Sequence, residues 1–299
     1  MLRHPPFVVV VDALRFAALA SSHDGRSARV SGTPPQPATG WPAARSIADA
    51  ADARAGVVTR QATADELDGV LARFEATWGE GRGPDRSMLQ AIAHAGGTLL
   101  VAVPHEHAEV AGILGAALGF LGWAGGLHLH SHMNAVDPAA RGRGIGLALK
   151  LRQRAICLEH GIDEIRWTYD PLIRRNAHMN LVRLGAEVVA YRPDFYGRLG
   201  DRITGADRSD RFEVRWRLDS SRTARALARR PQPAWSAEGG LALDADFERL
   251  RADAPADAAR LRERSREAFA ALAGRALRPE LDAAGDYVFT NDDPDRETE

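Results

Sequence analysis

A three-layer α+β domain (α/β layers on a mixed sheet), carrying a small C-terminal α/β extension, is what this sequence predicts. Hydrophobic periodicity switches between 2 and 3.6 along the chain and gives the order βααβββαβαββ between Val57 and Leu218. The order mixes antiparallel pairs with crossover connections. One long helical stretch separates two strands and makes at least one βαβ crossover. The 299 residues allow one large domain or two small ones, and 45% hydrophobic with 26% charged residues is an ordinary globular composition.

The first elements are read as follows. FVVVVDALRFAALA (Phe7 to Ala20) imitates a signal peptide, but Asp12 and Arg15 interrupt it and no convincing cleavage site follows, so it reads as a short N-terminal helix or as an upstream start that adds little structure. Residues 21–55 are rich in Ser, Gly, Pro, Ala and Asp, which makes residues 1–55 a leader expected to be largely disordered. Order is expected from Val57, with a strand to Thr63. Leu67, Val70, Leu71 and Phe74 then fall at helical spacing within Ala64 to Gly79, and Ser87 to Ala95 gives a second helix. Thr98 to Pro104 and Val110 to Gly122 read as strands around a polar turn, followed by the strand LHLHSHMNAV, Leu127 to Val136.

A helix from about Gly144 to His160 ends at Gly161, and DEIRWTYDPL from Asp163 is the next strand. Asn176 to Leu184 is a short helix stopped by Gly185, and GAEVVAYRPDFYG and RFEVRWRL complete the domain, residues 56–218. Residues 219–288 form the extension: an Arg-, Ala- and Pro-rich link, a strand at Leu241 to Ala245, a helix from about Ala256 to Leu277 and a strand at YVFT. So small a piece needs the main domain or a partner subunit to cover it, and a homodimer is one way to do so. Residues 289–299 are expected to be a disordered acidic tail.

The bulk numbers exclude several classes. A net charge of −1 gives no field for nucleic acid or an anionic membrane, and no run reaches the ~18 apolar residues of a membrane span. One cysteine, Cys157, permits no intramolecular disulfide, so the reducing cytoplasm is the expected compartment; Cys157 lies in a helical apolar pattern and reads as a buried small residue. Lys150 is the only lysine, against 38 arginines, a bias attributed to base composition rather than function.

The chemistry concentrates in HSHMNAVDPAARGRGIGLALK, His130 to Lys150. RGRGIG follows a strand and opens a helix, where backbone N–H groups lack partners and carry partial positive charge. Glycines let an anion approach, Arg141 and Arg143 add mobile charge, and a pyrophosphate is the natural guest. No Walker A string occurs, and a dinucleotide fingerprint fails at Leu147. His128, His130 and His132 alternate and so face one side of their strand. Each could serve as a base near neutral pH, be satisfied within the sheet, or join a zinc site of three histidines and water.

Arg141, Gly144 and Gly146 also fill the fixed positions of (Arg/Gln)-x-x-Gly-x-(Gly/Ala), the coenzyme A loop of the GNAT acyltransferases. SHMNAVDPAARGRGIGLALKLRQRA, IRWTYDPL, NAHMNLVRLGA, DFYG and SDRFEVRW together resemble that superfamily from about Val57 to Leu218. The likeness is to the branch of predicted GNAT acyltransferases some of whose members are associated with N-succinylamino acid racemases. The resemblance implies a GNAT fold with a splayed central sheet. It implies an acyl-CoA co-substrate, acetyl-CoA or succinyl-CoA, without a metal, and acyl transfer to the amine of a small molecule, such as an amino acid.

Carried onto this chain, the resemblance places pantetheine against Ala135 and Val136. It places pyrophosphate on Arg141, Gly142, Arg143, Gly144, Ile145 and Gly146, and puts Asn176 beside the cofactor. The backbone N–H near Asn134 would meet the thioester oxygen, His132 would be the base or part of a water chain, and His130 would be second. The tyrosine that many members use as general acid falls on Leu181 here, which leaves Tyr169, Tyr191 and Tyr196 to be weighed. Asn180 and Asp170 are cleft or turn residues, and Arg192, Arg208 and Arg211 are carboxylate partners or surface ion pairs. The rival readings are a non-catalytic acyl-CoA-binding regulatory protein, an acyltransferase of protein amino groups, and the zinc site.

Overall fold

The computed structural model describes residues 40–107 and 112–296. The helix expected at Phe7 to Ala20, most of the leader, the start of the strand at Val110 and residues 297–299 lie outside them.

The described chain opens with helix α1 (Trp41–Ala55), in a stretch expected to be disordered. Its buried face consists of Ala44, Ala48, Ala51 and Ala55, at helical spacing. Alanine contributes little hydrophobic signal, so the stretch resembles a linker in composition. The same small side chains let α1 lie close against helix α4 (Ile145–Glu159). Arg152 of α4 ties the pair, donating to Asp49 at 2.7 Å and to the buried Asp52 at 2.8 Å. Asp52 also accepts from the Thr59 amide at 3.0 Å and from its hydroxyl, so its buried charge is fully partnered.

The main sheet has seven strands: β1 (Val57–Gln61), β2 (Thr98–Pro104), β3 (Gly115–Gly122), β4 (His128–Val136), β5 (Glu164–Tyr169), β6 (Glu187–Arg192) and β7 (Arg211–Arg217). Their order is β1-β2-β3-β4-β5-β7-β6, and β4 with β5 is the parallel pair, joined through α4. Helices α2 (Leu67–Trp78) and α3 (Arg86–His94) cover one face. There Leu67, Val70, Phe74 and Leu89 pack on Leu99, Val101, Ala116, Met133 and Ala135. Helices α1 and α4 cover the other. The three layers are therefore those expected, and β2, buried on both faces, is their centre.

Helix α5 (Arg174–Ala177) runs into a single π-helical turn, His178–Arg183, and Gly185 stops it at φ +72°. A Cβ at Gly185 would meet the Arg222 carbonyl at 2.9 Å, so only glycine fits.

The extension is α6 (Ser221–Leu227), α7 (Phe247–Asp253), α8 (Pro255–Ala270) and a small sheet β8-β10-β9 (Gly240–Leu241, Tyr287–Thr290, Arg278–Leu281). It packs on the main domain. Phe269 stands 4.5 Å from Phe212 of β7, and Tyr287 and Phe289 join the same buried cluster. The expected strand at Leu241 shrinks to two residues, and α6, α7 and β9 were not legible as periodic runs because ion pairs rather than apolar faces hold much of them. Arg222 of α6, with its side chain 2% exposed, grips Glu280 of β9 at 2.5 and 2.8 Å and donates to the carbonyls of Gly185 and Ala186. The acidic tail is likewise ordered as far as it is described. Phe289 and Thr290 belong to β10, and Asp295 accepts from the Arg222 amide and from Arg217.

Breaking a buried ion pair from one side strands the other charge. Glu280→Ala should therefore lower unfolding free energy by about 3–5 kcal/mol in urea titration. Losing less than about 1 kcal/mol would mean that the pair is not buried in solution.

Candidate active site

Strands β4 and β5 pair only at Leu129↔Ile165 and His130↔Arg166. Beyond those residues β4 continues to Val136 and β5 to Tyr169 without ladder contacts, so the facing backbone edges stand apart. Unpaired N–H and C=O groups on two strand edges accept an extended ligand in the way a sheet accepts another strand.

The parting begins beside a bulge. The β3–β4 register passes from Leu118↔Met133 to Gly119↔Ser131, which leaves His132 with no opposite residue. The bulge breaks the alternation expected along this strand. Ser131 and Asn134 both face α4, whereas His130, His132 and Met133 face the α2 side.

At the wide end of the gap lies the glycine turn. Gly142 and Gly144 have φ of +80° and +93°, and a Cβ at either would meet nothing within 4 Å. Backbone conformation, not crowding, demands glycine there, and the space above the turn is open. Gly144 caps α4 without any side-chain hydrogen bond, and no acidic residue occupies the first turn. The amides of Ile145 and Gly146 are thus free donors at a positive helix end. Ile145 itself is buried beneath, and Asn134 Nδ2 donates to the Gly146 carbonyl at 3.2 Å, fixing the helix against the strand. Arg141 is exposed, whereas Arg143 donates to the Ala55 carbonyl at 2.9 Å; of the two arginines expected to be mobile, Arg143 is anchored. Ala135 is buried, Val136 half-buried beside Gly146, and Asn176 half-buried on α5.

At the narrow end, the first residues past the last ladder pair are Ser131 and Trp167. Lys150 of α4 reaches between them. Its Nζ donates to Ser131 Oγ at 2.8 Å and sits 3.8 Å from the Trp167 ring centroid. Ser131 Oγ in turn donates a hydrogen bond to Gln153 Oε1 at 2.8 Å, and Gln153 Nε2 donates to Thr98 Oγ1 at 3.0 Å. No carboxylate lies within ion-pair distance of Lys150 among the described residues, and burial pushes the amine down to about 7. Sequence reasoning treated this lysine only as a relic of composition. Its isolation among 38 arginines was the signal available.

The histidines separate by environment. His128 is buried and donates from Nδ1 to the Gly126 carbonyl at 2.7 Å, a satisfied structural role. His130 and His132 flank Phe120, with ring centroids 6.0 Å apart. Burial, then the neighbouring His132, His128 and Lys150, lowers His130 to about 4. Burial also lowers His132, yet its ring reaches solvent, so both are neutral at pH 7 and His132 is the better placed to take a proton. Among the described residues no three His, Cys, Asp or Glu side chains converge as metal ligands.

The acid candidates narrow. Leu181 is fully buried. Tyr169 shares its hydroxyl with Tyr287 at 3.1 Å inside the core, and Tyr191 donates to Asp210 at 2.7 Å. Burial raises both. Tyr196 remains, 38% exposed, with its hydroxyl 3.1 Å from Thr168 Oγ1 on the α2 side of β5. Asn180 is buried and accepts from Trp167 at 3.3 Å, a structural contact. Asp170 is held by Arg262. Arg192 is paired with Glu213 and Arg208 with Asp194, whereas Arg211, beside the Tyr196 ring, has no ion pair among the described residues. Cys157 is buried, and that burial pushes its thiol up to about 12, so it is no nucleophile. A hollow of about 850 Å³ lies on the extension, and another of about 900 Å³ lies between the extension and the α5 segment, lined there by Arg174, Arg175, His178 and Val182.

No family profile and no curated protein sequence matches the chain. Solved structures similar to it include the ribosomal-protein-S18-alanine N-acetyltransferase from Escherichia coli, at 12% identity over 54% of this chain and 94% of that one, with a TM-score of 0.44. An N-acetyltransferase from Staphylococcus aureus Mu50 shares 16% identity over 55% and 99%, with a TM-score of 0.43. Ard1 from Thermoplasma volcanium shares 14% over 54% and 96%, with a TM-score of 0.42. These likenesses concern the course of the backbone and bring no activity with them. The strand order, the parting of β4 from β5 and the glycine turn heading α4 are the mixed, splayed sheet and loop that the resemblance led one to expect.

Proposed function

We propose that the protein is an acyl-CoA-dependent N-acyltransferase of the cytoplasm, acting on small amines by direct attack on the thioester. The observation that carries this reading is the uncapped glycine turn of α4 standing at the mouth of the β4/β5 gap. The turn would take the pyrophosphate, and the strand edges the pantetheine amides. A backbone N–H beside the bulge would meet the thioester oxygen as charge develops on it, a donor worth ~3 kcal/mol in such transition states. The amine nitrogen forms the new C–N bond as the C–S bond breaks. Its proton goes to His132, directly or through water, and the thiolate leaves with its electron pair. With Leu181 where a tyrosine acid would stand, solvent or Tyr196 protonates that weak base.

The acyl end lies farthest from the pyrophosphate, so it would point toward the narrow end of the gap. From Val136 to Ser131 is five residues of extended strand, about 17 Å. A buried lysine amine with no carboxylate partner among the described residues at that point, which would gain its proton on meeting one, supports an acyl group ending in carboxylate, succinyl over acetyl. On the acceptor side, Arg211 beside Tyr196, which donates to the Asp210 carbonyl and has no carboxylate partner among the described residues, supports an amine that carries a carboxylate, an amino acid.

Thiol release from acetyl-CoA and succinyl-CoA, against D- and L-amino acids and other amines, tests the reading. Turnover in the wild type should fall by ~10²-fold or more in His132→Ala. Coenzyme A binding with no turnover on any acceptor would leave a regulatory acyl-CoA-binding protein instead.

Activity should also fall as pH drops through the lowered His132 pKa, because the protonated ring accepts nothing. A rate independent of pH down to 4 would remove His132 as base.

Lys150→Met should shift the kcat/KM preference from succinyl-CoA toward acetyl-CoA by roughly tenfold or more. The same variant reports on stability. Below pH 7 both folded and unfolded wild type hold the lysine proton, and the folded state carries a buried charge. Between 7 and the unfolded pKa near 10.5 only the unfolded state binds that proton, so wild-type stability rises with pH. The variant should therefore be the more stable at pH 6, by ~2 kcal/mol or more, and the difference should shrink toward pH 10. A difference that does not change with pH would show that Lys150 is not buried as a charge.

A further inference from the structure

The connection between β6 and β7, residues 193–210, does not turn back at the sheet edge. It crosses the α2 side of β5 and reaches the end of α2, where the Arg202 amide donates to the Trp78 carbonyl at 3.1 Å. On the way it lays Tyr196 against Thr168, on the face of the sheet that carries His130 and His132. Acyl-CoA held by the glycine turn of α4 leaves this face for the amine. The connection therefore borders the acceptor's entry.

What fixes it there comes from the C-terminal extension. Arg262 of α8, its side chain 1% exposed, donates to both carboxylate oxygens of Asp170 at 2.9 and 2.7 Å and to Asp207 at 2.7 Å. One buried guanidinium thus joins the end of β5 to the crossing segment. Arg251 of α7 donates to the Ile203 carbonyl and pairs with Asp207 at 3.3 Å, and Arg266 of α8 pairs with Asp194 at 3.1 Å. Three arginines of the extension converge on a segment that has no regular secondary structure of its own. Asp194, beside the aromatic pair Phe195 and Tyr196, holds a left-handed φ of +48°, which its bond from the backbone to Asp210 and its arginine partners maintain.

We propose that the extension positions the acceptor: through Arg262 and Asp207 it clamps the β6–β7 segment, and Tyr196 with it, over the histidine face of the β4/β5 gap. Arg262 touches neither substrate and is a positioning residue. The inference rests on the N-acyltransferase reading for its acceptor, and on the geometry alone for its clamp.

The experiment compares wild type, Asp207→Asn and Arg262→Lys. Asp207→Asn weakens the clamp from the segment's side and leaves the Arg262–Asp170 pair, so the core keeps its buried partner. Acceptor KM should rise roughly tenfold in Asp207→Asn, while the Kd for acyl-CoA, read by calorimetry, stays within about twofold. Arg262→Lys, which keeps the charge but not the fork, should lie between the two. Amide hydrogen exchange over residues 193–210 should quicken in both variants. An unchanged acceptor KM, or equal losses for acceptor and acyl-CoA, overturns the positioning role. Unchanged exchange overturns the clamp even in a protein that transfers nothing. A wild type without turnover would overturn the proposed function and the acceptor half of this inference, with exchange still deciding the clamp.

Discussion

Two parallel neighbours, β4 and β5, share a ladder for only two residue pairs and then part, and the site is built on the pairing that is missing beyond them. A strand edge buried without partners is costly, because each orphaned amide or carbonyl forfeits its bond to water. Here the cost falls on a segment where a ligand with amides of its own can lie. The parting is not left to chance. The bulge at His132 turns β4 out of register with β3 just where β5 departs, and Lys150 and Trp167 fill the crotch on the α4 side. Closing the ladder would require the lysine to leave its hydroxyl and ring partners. The extra residue in β4 would also have to find a place.

From that gap the rest of the layout follows. The glycine turn sits at the open end because α4 must begin there to cross over to β5. The helix end and the strand edges are therefore delivered together by one βαβ unit. The two faces of the sheet then take different duties. The α4 side holds the lysine, its serine and the helix end. The α2 side presents the neutral histidines, Tyr196 and Arg211.

How legible this was depended on how local each feature is. The turn RGRGIG and the histidine strand could be read directly, because their conformations and alternation are set by neighbours in sequence. The replacement of tyrosine by Leu181 was visible for the same reason. Helix α1 was missed because its buried face is alanine. The order in residues 289–296 was missed because Asp295 depends on Arg217 and Arg222, more than 70 positions away. The clamp on the crossing segment joins residues 207 and 262, and no periodicity marks such a pair. The bulge was hidden as well. A single extra residue in an alternating strand leaves the pattern intact on paper and moves every later side chain to the other face.

Lys150 has one more consequence, which concerns what the protein is not exposed to. Acyl thioesters acylate free amines without a catalyst, and a protein that holds them is bathed in its own reagent. Every other cationic side chain in this sequence is an arginine or a histidine, and the guanidinium keeps its proton at any physiological pH and so offers no lone pair. The single lysine amine is held off the outer surface by a strand, a tryptophan and a helix, where only an acyl group lying in the β4/β5 gap would meet it. The outer surface therefore carries its positive charge on arginine, balanced by a near-equal share of carboxylates, and offers no lysine amine. Such a surface can meet thioesters without a lysine side chain becoming their acceptor.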